Sequence, residues 1–295
     1  MTRLLRTEQT KLSPSCVIKI PDFQGSLPPR ALYIYLPRGY NERTDQSYPV
    51  LYMHDGQNVF EAYVQDSYAG SWGADQIADL LIETGQMREC IIVGVSNGQS
   101  ARLAEYLPPY VVYPSAMLIG TRADTPRGRL KAQSSPAIQG AADKTLRYYQ
   151  EVTTYMGQNY RVLAGREQTA TCGSSMGGLL SLYMAWEHPD FARHHAVMSP
   201  SFWITAQNDA SRYLAIERLR TSLAPDVRLW LDSGTRSDSG DDGLALTKFA
   251  HQTLLQSGFT EGPNYRFFID QGGKHHESSW SARLDKVFKF LFPVA

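Results

Sequence analysis

The chain has 295 residues, with 29 Lys+Arg balanced by 29 Asp+Glu and a hydrophobic share of 42%. A formal charge of zero leaves no long-range field to steer the protein onto nucleic acid, and 11% aromatics beside 20% charged residues is too much core material for a disordered chain. The length permits two domains, but no Gly/Ser/Pro-rich linker and no internal repeat divides it, so one domain over residues 1–295 is expected.

The opening residues, MTRLLRTEQTKLSPSC, are polar and lack the apolar run of a secretory signal or of a lipoprotein site at Cys16. The longest apolar stretch, Cys90 to Val95, is far short of the roughly 18–20 residues of a membrane span. A cytoplasmic protein without membrane association is expected. Cys16, Cys90 and Cys172 form no CxxC and no metal-ligand spacing, and read as small buried residues in a reducing compartment.

Strand-like runs begin with Cys16–Ile20 and Ala31–Leu36, which alternate and follow closely, as an antiparallel start would. From Val50–His54 onward they are nearly all apolar: Cys90–Val95, Gln168–Cys172, His195–Ser199, Val227–Asp232 and Tyr265–Asp270. Strands buried on both faces of a parallel sheet read this way. Between them fall helical patterns at about Gly73–Thr84, Asp143–Tyr160, Met176–His188, Ala210–Leu223, Leu244–Ser257 and Trp280–Phe292. Pro189 stops the third, and Gly258 follows the fifth where a left-handed residue is wanted. The alternation predicts an α/β fold with a mostly parallel sheet of about eight strands flanked by helices. Residues 97–142, rich in proline and without a period, read as an insertion loop over the carboxyl edge of the sheet, where such folds bind ligands.

The strongest local signal is Gly173-Ser174-Ser175-Met176-Gly177-Gly178, directly after a strand and before a long apolar helix. That is the setting of a nucleophile elbow, whose turn is so tight that the positions two before and two after the nucleophile must be small. Gly173 and Gly177 meet that need and make Ser175 the candidate nucleophile. The amide of Met176, at the helix start, would face a developing oxyanion. A second donor belongs in the loop after the third strand, His54-Asp55-Gly56-Gln57-Asn58, from the amide of Gly56 or Gln57; His54 and Asp55 read as loop-shaping residues.

Ser175 needs a base, and in this fold the order is Ser, then Asp or Glu, then His. His275 and His276 lie past the last predicted strand, at the same sheet edge as the elbow, whereas His251 sits inside a helix. His188 reads as a helix end, and His194 and His195 as structural. Asp232, Asp238, Asp241 and Asp242 all qualify as the orienting acid by region. Asp241 and Asp242 have a sufficient reason as helix cap and first-turn charge, and Asp232 as part of the strand, which leaves Asp238 as the choice. Trp72, Tyr106 and Trp203 are candidate pocket walls, suited to an aromatic acyl group or a sugar face.

The segments YPVLYMHDGQNVF (48–60), GSWGADQ (70–76), RLAEYLP (102–108), GSSMGGLLSLYMAWEHPDF (173–191), SPSFW (199–203), LWLDSGT (229–235) and GGKHHESSWSARL (272–284) occur in this order. Together they resemble the "Putative esterase" family of α/β hydrolases, which includes enterochelin-esterase-like proteins, esterase D and feruloyl or acetyl esterases. The resemblance runs from about Ala31 to Phe292 and implies the α/β-hydrolase fold. It matches Ser175 to the family nucleophile and His275 to the family histidine. Many relatives carry the acid at the position of Ser237, so Asp238 implies a one-residue insertion.

The reaction implied is two-step acyl transfer to water by Ser175, His275 and Asp238, with the oxyanion held by the amides of Met176 and Gly56 or Gln57. It calls for no metal and no organic cofactor. The expected partner is a small-molecule or oligosaccharide ester of acetyl or feruloyl type. The alternatives are an acyltransferase on the same three residues and a non-catalytic binding module on a hydrolase scaffold.

Overall fold

The structure, a computed structural model, describes residues 12–114, 136–207, 212–221, 224–236 and 242–294. In chain order the strands are β1 (Cys16–Phe23), β2 (Arg30–Leu36), β3 (Val50–His54), β4 (Ile91–Val95), β5 (Val112–Tyr113), β6 (Ile138–Gln139), β7 (Thr169–Ser174), β8 (His194–Met198), β9 (Arg228–Gly234) and β10 (Tyr265–Asp270). The helices are α1 (Ala74–Glu83), α2 (Arg102–Tyr106), α3 (Ala142–Asn159), α4 (Met176–Glu187), α5 (Leu214–Thr221), α6 (Leu244–Gln256) and α7 (Glu277–Leu291).

An 8-stranded sheet has the order β1-β2-β4-β3-β7-β8-β9-β10. β1 pairs antiparallel with β2, and β2 antiparallel with β4; from β4 to β10 every neighbouring pair is parallel. The near-continuous apolar runs follow from this placement. Successive side chains of a strand point to opposite faces, and both faces here are covered. Leu32 and Ile34 of β2, Val50 and Tyr52 of β3, and Leu229 and Leu231 of β9 enter one core with α3, α4, α5 and α6. Tyr33 and Tyr35, Leu51 and Met53, and Trp230 enter the other, with α1 and α7.

The helix ends carry the signals expected of them. α4 stops at Glu187, ahead of Pro189, and Gly258 adopts φ 104° after α6. Cys90 and Cys172 are buried, but Cys16 is exposed at the start of β1, contrary to expectation. His195, read as structural, and His251, read as lying inside a helix, both pack into the fold. His195 donates from Nε2 to the carbonyl of Ala192 (2.9 Å) and accepts at Nδ1 from Thr171 (2.7 Å), and His251 stacks on Phe267 at 4.1 Å.

The described part of the insertion carries α2 and the antiparallel pair β5–β6. Arg30 of β2 holds Glu105 of α2 through two hydrogen bonds, 2.7 and 2.9 Å, both side chains being buried. This pair fixes α2 beside the carboxyl ends of the central strands.

α4 is the helix most enclosed by the fold, with Met176 through Trp186 all buried. Its approach to β8 depends on Gly178, where a Cβ would lie 2.6 Å from the carbonyl oxygen of Met198. Gly178→Ala is therefore expected to lower the unfolding free energy by about 1–3 kcal/mol, because backbone on both sides has to part. Urea denaturation measures it, and a wild-type midpoint would show that the contact relaxes freely.

Candidate active site

Ser175 stands between β7 and α4 with φ 59° and ψ −121°. The turn is held from both ends: the Ser175 amide donates to the carbonyl of Met198 (3.0 Å), and the Ser201 amide donates to the carbonyl of Ser175 (3.1 Å). Gly173 is required here, since a Cβ would come 2.5 Å from His54 Cδ2 and 2.7 Å from the Gly177 carbonyl carbon. The Ser175 hydroxyl stands above the sheet edge, beside the amide of Met176 in the first turn of α4, a group that a helix leaves unpaired.

His275 and Ser175 are brought together as the sequence predicts: His275 Nε2 lies 2.9 Å from Ser175 Oγ. The acid differs. Asp238 lies outside the described residues, and the carboxylate against His275 is that of Asp242, with Oδ1 2.8 Å from Nδ1. Asp242 has no capping duty, because the N-cap of α6 is Gly243, whose left-handed backbone (φ 78°) turns the chain into the helix. Asp242 instead turns back under the end of β9, with its side chain 1% exposed.

Its second oxygen accepts from Ser199 Oγ (2.8 Å), Ser233 Oγ (3.1 Å) and the Gly234 amide. Burial opposes the charge, but hydrogen bonds from His275, Ser199 and Gly234 outweigh it and hold the carboxyl below its ordinary 3.8. Ser199 has its one proton on Asp242 and accepts from Trp280 Nε1 (3.1 Å) and Arg283 Nη2 (2.7 Å). Arg283 also donates to Asp232 (2.8 Å) and Asp270 (3.1 Å). Asp232 is thus fully buried and committed to Arg283, the Ser199 amide and Trp230 Nε1 (2.7 Å), with no contact to His275. Trp280 meets His275 edge to face at 5.1 Å.

His54 and Asp55 shape the loop after β3, as expected. His54 is enclosed between the Tyr149 hydroxyl (2.6 Å) and Ser181 Oγ (3.0 Å), linking β3 to α3 and α4. Asp55, left-handed at φ 55°, receives Nε (2.6 Å) and Nη2 (2.7 Å) of Arg102 and the side-chain amide of Asn97 (2.5 Å). Its burial works against the charge, but the Arg102 guanidinium and Asn97 keep its carboxyl below 3.8. This fixes the Gly56–Gln57 turn, where Gly56 lies against Gly94 of β4 and Gln57 Oε1 accepts from the Asn97 amide (3.4 Å).

A cleft of 250 Å³ opens over Ser175 and His275, lined also by Asp55, Tyr68, Trp72, Arg102 and Trp280. Trp72 is among these lining residues. Two other expected walls are not among the lining residues. Tyr106 is 2% exposed, and its hydroxyl accepts from the Asp55 amide at 3.1 Å, so it supports the loop from behind. Trp203 is 52% exposed, outside the cleft. Arg102 and Ser201 were not singled out from sequence. The RLAEYLP segment was the available signal for the first; for Ser201 it was SPSFW.

An elbow serine, a histidine within hydrogen-bond reach of it and a buried carboxylate on one edge of this sheet are the arrangement of an α/β hydrolase. The pattern of the family described as "Putative esterase" matches residues 28–291; the chain belongs to that family, and its class is carboxylic-ester hydrolase. It is similar to "Uncharacterized protein YbbA" of Bacillus subtilis (strain 168), with 21% identity over 273 residues, covering 89% of this chain and 92% of the other. Among solved structures it is similar to the CE1 ferulic acid esterase AmCE1/Fae1A from Anaeromyces mucronatus: TM-score 0.62, 24% identity, covering 97% and 92% of the two chains. It is also similar to the enterobactin esterase FES from Shigella flexneri, with TM-score 0.64 and 16% identity, covering 94% of this chain and 59% of that one. No helix among the described residues is long and apolar enough to cross a membrane.

The buried groups give a signed pH dependence. Burial pushes His54 and His195 from 6.5 down to about 3. Below 6.5 the unfolded chain binds more protons than the native one, so the stability from each ring is complete above that pH and drains away toward 3. Asp55 and Asp242 act in the same sense lower down: their contribution is present above 3.8 and is lost as pH falls through their depressed native values. Unfolding free energy from denaturant titrations is expected to fall by about 2–3 kcal/mol per buried histidine between neutrality and about pH 4.5. A flat profile over that range would contradict the neutral, enclosed rings.

Proposed function

We propose that Ser175, His275 and Asp242 act as a triad that hydrolyses small or carbohydrate-linked esters of acetyl or feruloyl type. The observation that carries this reading is the unbroken relay from Ser175 Oγ to His275 Nε2 (2.9 Å) and from His275 Nδ1 to Asp242 Oδ1 (2.8 Å). Asp242 holds the Nδ1–H tautomer, so Nε2 is free to accept the serine proton. Ser175 Oγ attacks the ester carbonyl, and the oxyanion is held by the amides of Met176 and of Gln57 or Gly56. The carbonyl–alkoxy bond breaks, and the alcohol leaves with the proton from His275. Water then attacks the acyl-enzyme by the same path reversed, releasing the acid.

The cleft supports the substrate class. At 250 Å³ it is small, and it joins aromatic walls (Trp72, Trp280, with Tyr68 at 76% exposure) to polar groups (Asn58, Arg102, Glu277). Such a mixture suits a compact acyl group on a polar alcohol. A structurally similar ferulic acid esterase has been solved in complex with ferulic acid, which makes an aromatic acyl group a natural first test.

Hydrolysis of p-nitrophenyl acetate, p-nitrophenyl butyrate and methyl ferulate is the experiment. Wild type is expected to turn over at least one; Ser175→Ala should abolish it, and Asp242→Asn should lower kcat by about 10³–10⁴-fold through the wrong imidazole tautomer. If folded wild type turned over none of the three and formed no fluorophosphonate adduct, Ser175 would not be an activated nucleophile.

A further inference from the structure

The SPSFW segment after β8 places a second hydroxyl on the nucleophile: Ser201 Oγ lies 3.0 Å from Ser175 Oγ. Ser201 is 2% exposed, and its hydroxyl has no other partner among the described residues. The direction of this hydrogen bond follows from proton counting. His275 Nδ1 carries its hydrogen toward Asp242, so Nε2 is an acceptor and the single Ser175 proton points to it. Ser175 Oγ is then an acceptor toward Ser201, and the Ser201 hydroxyl donates.

Resting on the hydrolase reading above, we infer that Ser201 is a further catalytic group, a fixed donor to the oxygen that gains and loses the acyl bond. In acylation the proton of Ser175 passes to His275 Nε2 while the Oγ–carbon bond forms, and negative charge passes through Oγ. In deacylation that bond breaks and Oγ departs as an alkoxide before regaining its proton from His275. Ser201 faces Oγ in both steps. A donor already buried and aimed needs no reorganisation when the charge appears, which is when a hydrogen bond strengthens most. The aim is built into the elbow, because the Ser201 amide donates to the carbonyl of Ser175 (3.1 Å) and ties the two residues together through the backbone.

The test uses the full chain with Ser201→Ala and Ser201→Cys. Three readouts are compared with wild type: p-nitrophenyl acetate kinetics across pH, the inactivation rate with a fluorophosphonate, and thermal unfolding. Ser201→Ala is expected to lower both kcat and the inactivation rate constant about ten- to hundredfold, the worth of one hydrogen bond to a developing charge. KM and the midpoint of the pH–rate curve should stay in place, since His275 and the cleft are untouched. Ser201→Cys, with a weak donor, should fall between. An active wild type matched in inactivation rate by Ser201→Ala overturns the inference alone, as does a loss in Ser201→Ala that comes with a displaced pH midpoint. If Ser201→Ala does not fold, a wild-type rate in Ser201→Cys overturns it equally. A wild type that neither hydrolyses esters nor reacts with the probe overturns the hydrolase reading and this inference with it.

Discussion

The backbone of Ser175, at φ 59° and ψ −121°, is a conformation that costs an L-residue about 1–3 kcal/mol and persists only where its surroundings over-determine it. Those surroundings are β8 and the turn that follows it. Met198 takes the Ser175 amide, and Ser201 reaches back to the Ser175 carbonyl. β8 can serve this way only because Gly178 lets α4 come down onto the Met198 carbonyl, and Gly173 lets β7 pass beside His54. The glycines are therefore consequences of one strained residue. The same turn aims the first amide of α4 and sets Ser201 against Ser175 Oγ.

Around that turn the fold handles buried carboxylates in different ways. Asp232 is neutralised by Arg283, holds α7 to β9 and fixes the Ser199 amide, without touching His275. Asp55 is matched by Arg102 and sets the loop after β3. Among the described residues no arginine or lysine forms an ion pair with Asp242; its charge is met by His275, two hydroxyls and an amide. A carboxylate held by neutral donors keeps its charge available to an imidazolium, whereas one tied to arginine has already spent it. This difference separates Asp242 from Asp232, although they lie ten positions apart and are both buried. Ser199 joins the two systems, touching Asp242 and Arg283 through one oxygen, so Asp242 and the helix that follows His275 are positioned together.

Much was legible in the sequence. Hydrophobic periodicity is a local property, and among the described residues it located the eight strands of the main sheet, the change from antiparallel to parallel after Val50, and the principal helices to within a few residues. The elbow was legible for a related reason: a strand, a small-residue turn and an apolar helix in succession leave few other folds for Gly173 to Gly177. His275 followed from chain order and from its loop beyond the last strand. His54, Asp55 and His195 read from the sequence as supports of the fold, since each lies in an element or loop whose packing already accounts for it.

What only the tertiary structure decided was which side chains converge. Asp241 and Asp242 looked like helix-cap residues because spacing shows proximity to a helix and not direction. It is the left-handed turn at Gly243 that takes over the cap and sends the Asp242 carboxylate back beneath His275. Tyr106 and Trp203 looked like pocket walls because they are aromatic and lie near motifs. Folding turned one inward behind Asp55 and left the other outside the cleft. Ser201 and Arg102 were passed over because a serine or an arginine gains meaning only from the atom it faces, and those atoms lie 26 and 47 residues away along the chain. Composition and period determine which segments are buried and in what form. Which carboxylate meets His275, which residues line the cleft and which hydroxyl faces Ser175 depend on distances between strand ends, which only the assembled sheet defines.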